Sequence, residues 1–279
     1  MPAVNAASHT KLMEDATVRR HDEFGGGYRL LIFHAPRIAV RATPGQFVHI
    51  RIPELPRDAL RRPFSIYRAD GEELHVLYKP VGRGTQAMIT AAPGEVFSLI
   101  GPLGTGFPVP AADEFPVFVA GGYGVAPLSF LAQRSAVRGV VFIGARTARD
   151  ILCVEDFGGF GWEARVATED GTRGERGRVT ALVDAWVAER GATGAAGRPV
   201  LYACGPEGLM KVLAARTAAW GWQAWLSLDR PMGCGVGACL ACVQRVRDAS
   251  GQESWARCCT EGPVFDARAL VWAPEKPEA

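Results

Sequence analysis

Short apolar runs broken by turn residues fill the first third of the chain. Tyr28–Phe33, Gln46–Ile52, Phe64–Tyr67, Glu73–Tyr78 and Val96–Ile100 are separated by Gly25-Gly26-Gly27, Pro44-Gly45, Asp70-Gly71 and Pro93-Gly94. Strands of that length at that spacing predict an antiparallel β-barrel or sandwich. One helix, near Gly84–Ala91, interrupts it. Residues 1–15 are small and polar without a period, so they read as a flexible N-terminus.

The texture changes after the proline-containing linker Pro108–Asp113. Phe115–Ala120, Gly139–Gly144, Glu163–Ala167, Pro199–Ala203 and Gln223–Leu228 read as buried strands, and the stretch after Gly124, Arg178–Glu189 and Pro206–Trp220 as helices. Strands alternating with helices predict a doubly wound parallel sheet. Gly191–Gly197 reads as a surface loop. The remainder is a small third unit, too short for a large core of its own. The expected division is 1–15 flexible, 16–110 barrel, 111–228 α/β domain and 229–279 a cysteine-bearing domain.

Composition narrows the function classes. The 279 residues carry a net charge of +2 from 31 basic and 29 acidic side chains. These are spread without a block, so neither nucleic acid nor an anionic membrane is an expected partner. The longest apolar region, Phe115–Leu131, is broken by Gly121, Gly122, Gly124 and Pro127, and no secretory signal is visible. A cytoplasmic protein is expected. Five of the seven cysteines fall between Cys234 and Cys259, which suits a metal site in a reducing compartment better than a disulfide framework.

Those cysteines are the most informative residues. Cys234, Cys239 and Cys242 follow C-x4-C-x2-C, with the Cys258-Cys259 pair downstream, the spacing of a plant-type [2Fe–2S] ferredoxin. Glycines 233, 235 and 237 let the loop wrap closely, with its N–H groups aimed at sulfur. Four thiolates also suit tetrahedral zinc, and buried thiols pack as small hydrophobes.

The remaining motifs are weaker one by one. Gly82-Arg83-Gly84-Thr85 before a helix suits phosphate, yet such a sequence also forms plain turns. Arg62-Pro63-Phe64-Ser65 opens a strand. Gly121-Gly122-Tyr123-Gly124 lies at a strand-to-helix turn, where glycines cradle a dinucleotide, without the full G-x-G-x-x-G pattern. Cys204-Gly205-Pro206 ends a strand at the sheet edge where ligands bind. Cys153, in an expected helix, is assigned to packing.

Taken together, from about residue 15 to 270, the chain resembles the ferredoxin–NADP reductase superfamily, and within it the electron-transfer subunits of dihydroorotate dehydrogenase B. Arg62–Ser65 is similar to the superfamily's R-x-[YF]-S flavin motif and Gly82–Thr85 to its second phosphate stretch. Ala120–Leu128, including Pro127, is similar to its GGGxGxxPL nicotinamide turn, with Ala120 in place of the first glycine. Tyr202–Pro206 is similar to Y-x-C-G-P, and Met232–Cys242 with Cys259–Phe265 to the family's cluster loop and its closing C-x-[DE]-G-P-V-F. The resemblance implies FAD, NAD and a [2Fe–2S] cluster on Cys234, Cys239, Cys242 and Cys259, the last chosen over Cys258 by the alignment of Gly262–Phe265. It also implies hydride transfer beside Ser65 and Cys204, and an FMN-containing dihydroorotate dehydrogenase catalytic subunit as partner in a heterotetramer. Two other readings share these residues: a reductase subunit of another redox complex, such as a hydrogenase, and a nucleotide-binding regulator with structural zinc.

Overall fold

The computed structural model describes residues 11–53, 55, 60–190 and 197–273. Six strands close into a barrel in the order β1-β2-β5-β4-β3-β6. They are β1 (Leu12–Gly25), β2 (Tyr28–His34), β3 (Phe47–Ile50), β4 (Arg62–Asp70), β5 (Glu73–Tyr78) and β6 (Val96–Leu103). Alternate side chains point inward, so Val18, Phe33, Ile50, Ile66, Val76 and Phe97 fill one continuous core. Closure leaves no open sheet edge in this unit.

The first strand departs from expectation. It starts at Leu12, within the stretch read as flexible; residues 1–10 lie outside the described residues. Its inward positions are Glu14, Ala16 and Val18, a series without the large apolar residues that mark a strand. The Glu14 carboxylate is buried because it accepts from the backbone N–H groups of Arg37 and Ile38, at 3.0 and 2.8 Å, at the start of the short helix α1 (Pro36–Ala39). The one helix expected in this unit is α2 (Arg83–Ala87), continued by a tighter turn over Met88–Thr90, and α1 is additional to it.

The α/β unit runs from β7 (Glu114–Gly121) through α3 (Val125–Arg134), β8 (Val140–Ala145), α4 (Val154–Gly159), β9 (Glu163–Thr168), β10 (Glu175–Arg176), α5 (Val179–Arg190), β11 (Arg198–Cys204) and α6 (Glu207–Trp220) to β12 (Gln223–Ser227). All these strands are parallel, and the order reverses beside β7: β8, β9 and β10 lie on one side, β11 and β12 on the other. Crossovers therefore leave β7 and β11 in opposite directions, which opens a crevice at their carboxyl ends. Phe130 of α3 reaches into the barrel core while Leu128 and Leu131 pack on the sheet, so one helix joins the two units. Cys153 lies just before α4, not within it, in a left-handed conformation (φ 61°) and buried. Of the expected surface loop Gly191–Gly197, residues 191–196 lie outside the described residues.

The C-terminal segment leans on both neighbours. Its hairpin is β13 (Val243–Arg247) and β14 (Glu253–Arg257), and β15 (Val264–Asp266) pairs antiparallel with β12 as the seventh strand of the sheet. Cys242, Cys258, Cys259 and Phe265 share one apolar cluster with Leu201, Leu226 and the barrel residues Phe47 and Leu103. Among the described residues, no helix is long and apolar enough to cross a membrane.

Candidate functional site

A cleft of about 970 Å³ runs between the barrel and the carboxyl ends of the sheet. The barrel side brings Pro63, Phe64, Ser65 and Thr85 to its wall; the sheet side brings Gly121, Gly122, Gly124, Cys204 and Pro206. Ser65 faces outward from β4, opposite Phe47 of β3 in the ladder, so both are aimed into the cleft.

The other expected residues stand behind this wall. Arg62 stacks on the start of α2: a Cβ added at Gly84 would lie 3.1 Å from Arg62 Nε and 3.0 Å from Ile52 Cδ1. The two barrel motifs are thus neighbours, with Gly82 and Arg83 exposed beside them. The Thr85 hydroxyl accepts from the N–H groups of Val81 and Gly82, at 2.9 and 3.1 Å, so it shapes its own loop rather than standing free for a ligand. Pro127 is buried inside α3, away from the cleft.

The sheet-side turns interlock. A Cβ at Gly124 would sit 2.2 Å from the carbonyl oxygen of Cys204, and one at Gly205 would sit 3.0 Å from the nitrogen of Gly121. Only glycine lets the ends of β7 and β11 approach this closely. Burial, with the Asp229 carboxylate nearby, pushes the Cys204 thiol up to about 12, so at neutral pH it is an uncharged wall group.

Several cleft residues carry no motif. Lys79 Nζ lies 2.6 Å from Asp150 Oδ1 and 4.7 Å from the centroid of the Tyr28 ring, and Tyr28 donates to the same oxygen at 3.3 Å. This cluster ties the barrel to the loop after β8. The hydrogen bond from Lys79 holds the Asp150 carboxyl below the usual range, while burial and then Asp150 push the Tyr28 hydroxyl up to about 12. Across the cleft, the Tyr123 hydroxyl donates to Asp229 Oδ2 at 2.9 Å and joins the Gly-rich turn to the segment that leads to the cysteines. Burial and that carboxylate raise the Tyr123 pKa. Tyr123 lies inside the Gly121–Gly124 motif, whereas Tyr28, Lys79, Asp150 and Asp229 belong to none of the motifs.

The cysteine loop sits beyond this mouth. Val236, Ala238 and Cys239 N–H groups approach Cys234 Sγ at 3.4, 3.2 and 3.4 Å, and Cys234 N–H approaches Cys239 Sγ at 3.4 Å. Partial burial works against ionisation, but these donors outweigh it and bring the Cys234 thiol down to about 6. Gly235 holds φ 67° on the buried side, whereas Leu240 is 60% exposed with φ 57°. Cys258 and Cys259 lie in the turn after β14. Cys259 N–H is 3.4 Å from Cys242 Sγ, while Cys258 N–H donates to the Cys242 carbonyl at 3.0 Å. Among the described residues, no three His, Cys, Asp or Glu side chains are grouped around a point for one metal ion. Thiols spread along a loop of inward N–H donors fit a cluster that itself carries sulfide charge. The cleft likewise fits a flavin, with an apolar wall at Phe47 and Phe64 and polar groups at Ser65, Lys79 and Tyr28.

Comparison with known proteins agrees with this geometry. Residues 229–271 match the iron-sulfur cluster binding domain of dihydroorotate dehydrogenase B. The dihydroorotate dehydrogenase B (NAD(+)) electron transfer subunit of Desulforamulus reducens is 39% identical over 245 residues, 86% of this chain and 91% of the relative. That of Geobacillus kaustophilus is 39% identical over 235 residues, 82% and 86%. The solved structure of an NADH-dependent reduced ferredoxin–NADP oxidoreductase superposes with TM-score 0.78 at 26% identity, over 92% of this chain and 90% of that one. A ferredoxin reductase of carbazole 1,9a-dioxygenase shares the fold, with TM-score 0.63 at 21% identity over 76% and 67%. With barrel, sheet and cysteine loop all covered at this identity, the chain belongs to the family of dihydroorotate dehydrogenase B electron-transfer subunits.

Proposed function

We propose that this chain carries electrons from dihydroorotate, oxidised to orotate on an FMN-containing catalytic subunit, to NAD, and that the two subunits form a heterotetramer. The observation that carries the reading is the cleft itself, where Ser65 of the barrel faces the Gly121–Gly124 turn and Cys204, with the cysteine loop next along the same wall. FAD bound there supplies the interconversion of hydride and single-electron steps, and a [2Fe–2S] cluster supplies the one-electron relay.

The residues of this chain orient and insulate those groups. Phe64 and Ser65 hold the flavin edge, with Arg62, packed on Gly84, and the Gly82–Thr85 loop behind them at the phosphates. Gly121, Gly122 and Gly124 let the nucleotide backbone approach, and Pro206 and uncharged Cys204 close the nicotinamide side. Cys234, Cys239, Cys242 and Cys259 hold the cluster; the Cys259 contact to Cys242 Sγ supports that choice over Cys258. Exposed Leu240, between two ligands, marks the face from which electrons pass to the partner. A reducing cytoplasm, where thiolates stay available to a cluster, suits this chemistry.

Co-expression with an FMN-containing dihydroorotate dehydrogenase subunit tests this. The expected result is a stable complex with visible flavin and iron-sulfur absorption that reduces NAD with dihydroorotate. A cofactor-replete preparation that forms no complex and leaves NAD unreduced overturns it.

A further inference from the structure

One side chain between cleft and cysteine loop is at odds with its surroundings. In β3, Val48 and Ile50 point into the barrel core, so Phe47 and His49 point outward. Outward is nevertheless interior here: His49 is 0% exposed. What covers it is the cysteine loop, since a Cβ added at Gly235 would lie 2.7 Å from both Cε1 and Nδ1 of His49. On its other side the ring meets Phe47 at 6.0 Å between centroids, inclined at 70°, and Phe47 forms the cleft wall opposite Ser65.

Neither His49 ring nitrogen meets a hydrogen-bond partner among the described residues. A buried polar group left unpaired is costly, because it has lost its water without gaining a partner. An imidazole in this position offers one N–H donor and one acceptor. An acceptor at the cysteine loop satisfies it, and sulfur bearing cluster charge is such an acceptor.

We propose that His49 donates its ring N–H to the sulfur shell of the [2Fe–2S] cluster, from the barrel side, and thereby raises the cluster's reduction potential. The inference rests on the reading of Cys234, Cys239, Cys242 and Cys259 as cluster ligands. Reduction adds negative charge to the cluster, so a donor to its sulfurs favours the reduced form. The same ring packs on the flavin-side wall, which places this contact between the two redox sites.

The test uses the full complex with its catalytic subunit, reduced and frozen. With histidine labelled by ¹⁵N, pulsed EPR of the reduced cluster is expected to show a weak ¹⁵N coupling in the wild type that vanishes in His49→Leu. Potentiometric titration of the same samples is expected to show the His49→Leu cluster about tenfold less reduced at a fixed potential, about 59 mV lower for one electron. His49→Asn, which restores an amide donor, should recover most of that difference. A wild-type cluster with no histidine coupling overturns the proposal even if His49→Leu fails to fold. So does a full cluster of unchanged potential in His49→Leu, the result expected if the ring meets only water. A wild-type complex without any [2Fe–2S] signal overturns the cluster reading itself.

Discussion

The barrel and the C-terminal segment are both built from short antiparallel strands, yet they solve the burial problem in opposite ways. The barrel closes on itself and fills its interior with its own side chains, Phe33, Ile66, Val76 and Phe97 among them. The C-terminal segment has a single hairpin, lends β15 to the sheet and shares its apolar cluster with the α/β unit and with Phe47. Thiols take part in its interior: Cys242, Cys258 and Cys259 are all buried, beside Ala256, Val264, Phe265 and Leu270. A segment this small borrows core from its neighbours and from the group its cysteines hold, so its order is tied to its function in a way the barrel's is not.

Removing the iron is the strongest way to break that contrast. Chelation, or Cys242→Ser, is expected to abolish the visible iron-sulfur bands and strip hydrogen-exchange protection from Val243–Arg257 while the barrel strands stay protected. Loss of protection in both regions at once would show that the barrel is no more independent than its neighbour. The reciprocal change, Phe97→Ala, empties the centre of the barrel and should cost about 3–5 kcal/mol. Denaturation should then release flavin first, with the cluster bands surviving to higher denaturant.

Two smaller effects sharpen the seams between units. Tyr123→Phe deletes the hydrogen bond to Asp229 that links the Gly-rich turn to the cysteine segment. About 1 kcal/mol is at stake, so KM for NAD should shift by about fivefold, with the cluster bands unchanged. At the barrel–sheet seam, Lys79 depresses the Asp150 pKa. A carboxyl depressed in the folded protein adds stability above its unfolded pKa, about 3.9, and loses it as pH falls through the lower folded value. Wild type should therefore exceed Asp150→Asn in stability by less than about 1 kcal/mol at pH 6, a margin that disappears in acid-denaturation curves below about pH 4.

Legibility in the sequence followed the kind of constraint each residue obeys. Strands with large apolar residues, such as Tyr28–Phe33 and Gln223–Leu228, announce themselves because burial demands them. The strand from Leu12 does not, because its inward face is Glu14, Ala16 and Val18, satisfied by backbone donors of α1 rather than by bulk. Gly124 and Gly205 stand out in the sequence, but their reason is the close approach of the ends of β7 and β11, at Gly121 and Cys204, which no local pattern encodes. Tyr28, Lys79 and Asp150 lie in no motif, and only the meeting of barrel and sheet makes them a cluster.

The sequence by itself determined the order of barrel, parallel sheet and cysteine loop, and the thiols available to a cluster, because hydrophobic period, turn chemistry and ligand spacing are properties of neighbouring residues. Only the tertiary structure decided that β15 completes the sheet, that the cysteine pair lies in a turn, and that a fully buried His49 separates the cleft wall from the cysteine loop. Those facts depend on which distant surfaces exclude water together, and that is settled by packing across the whole chain.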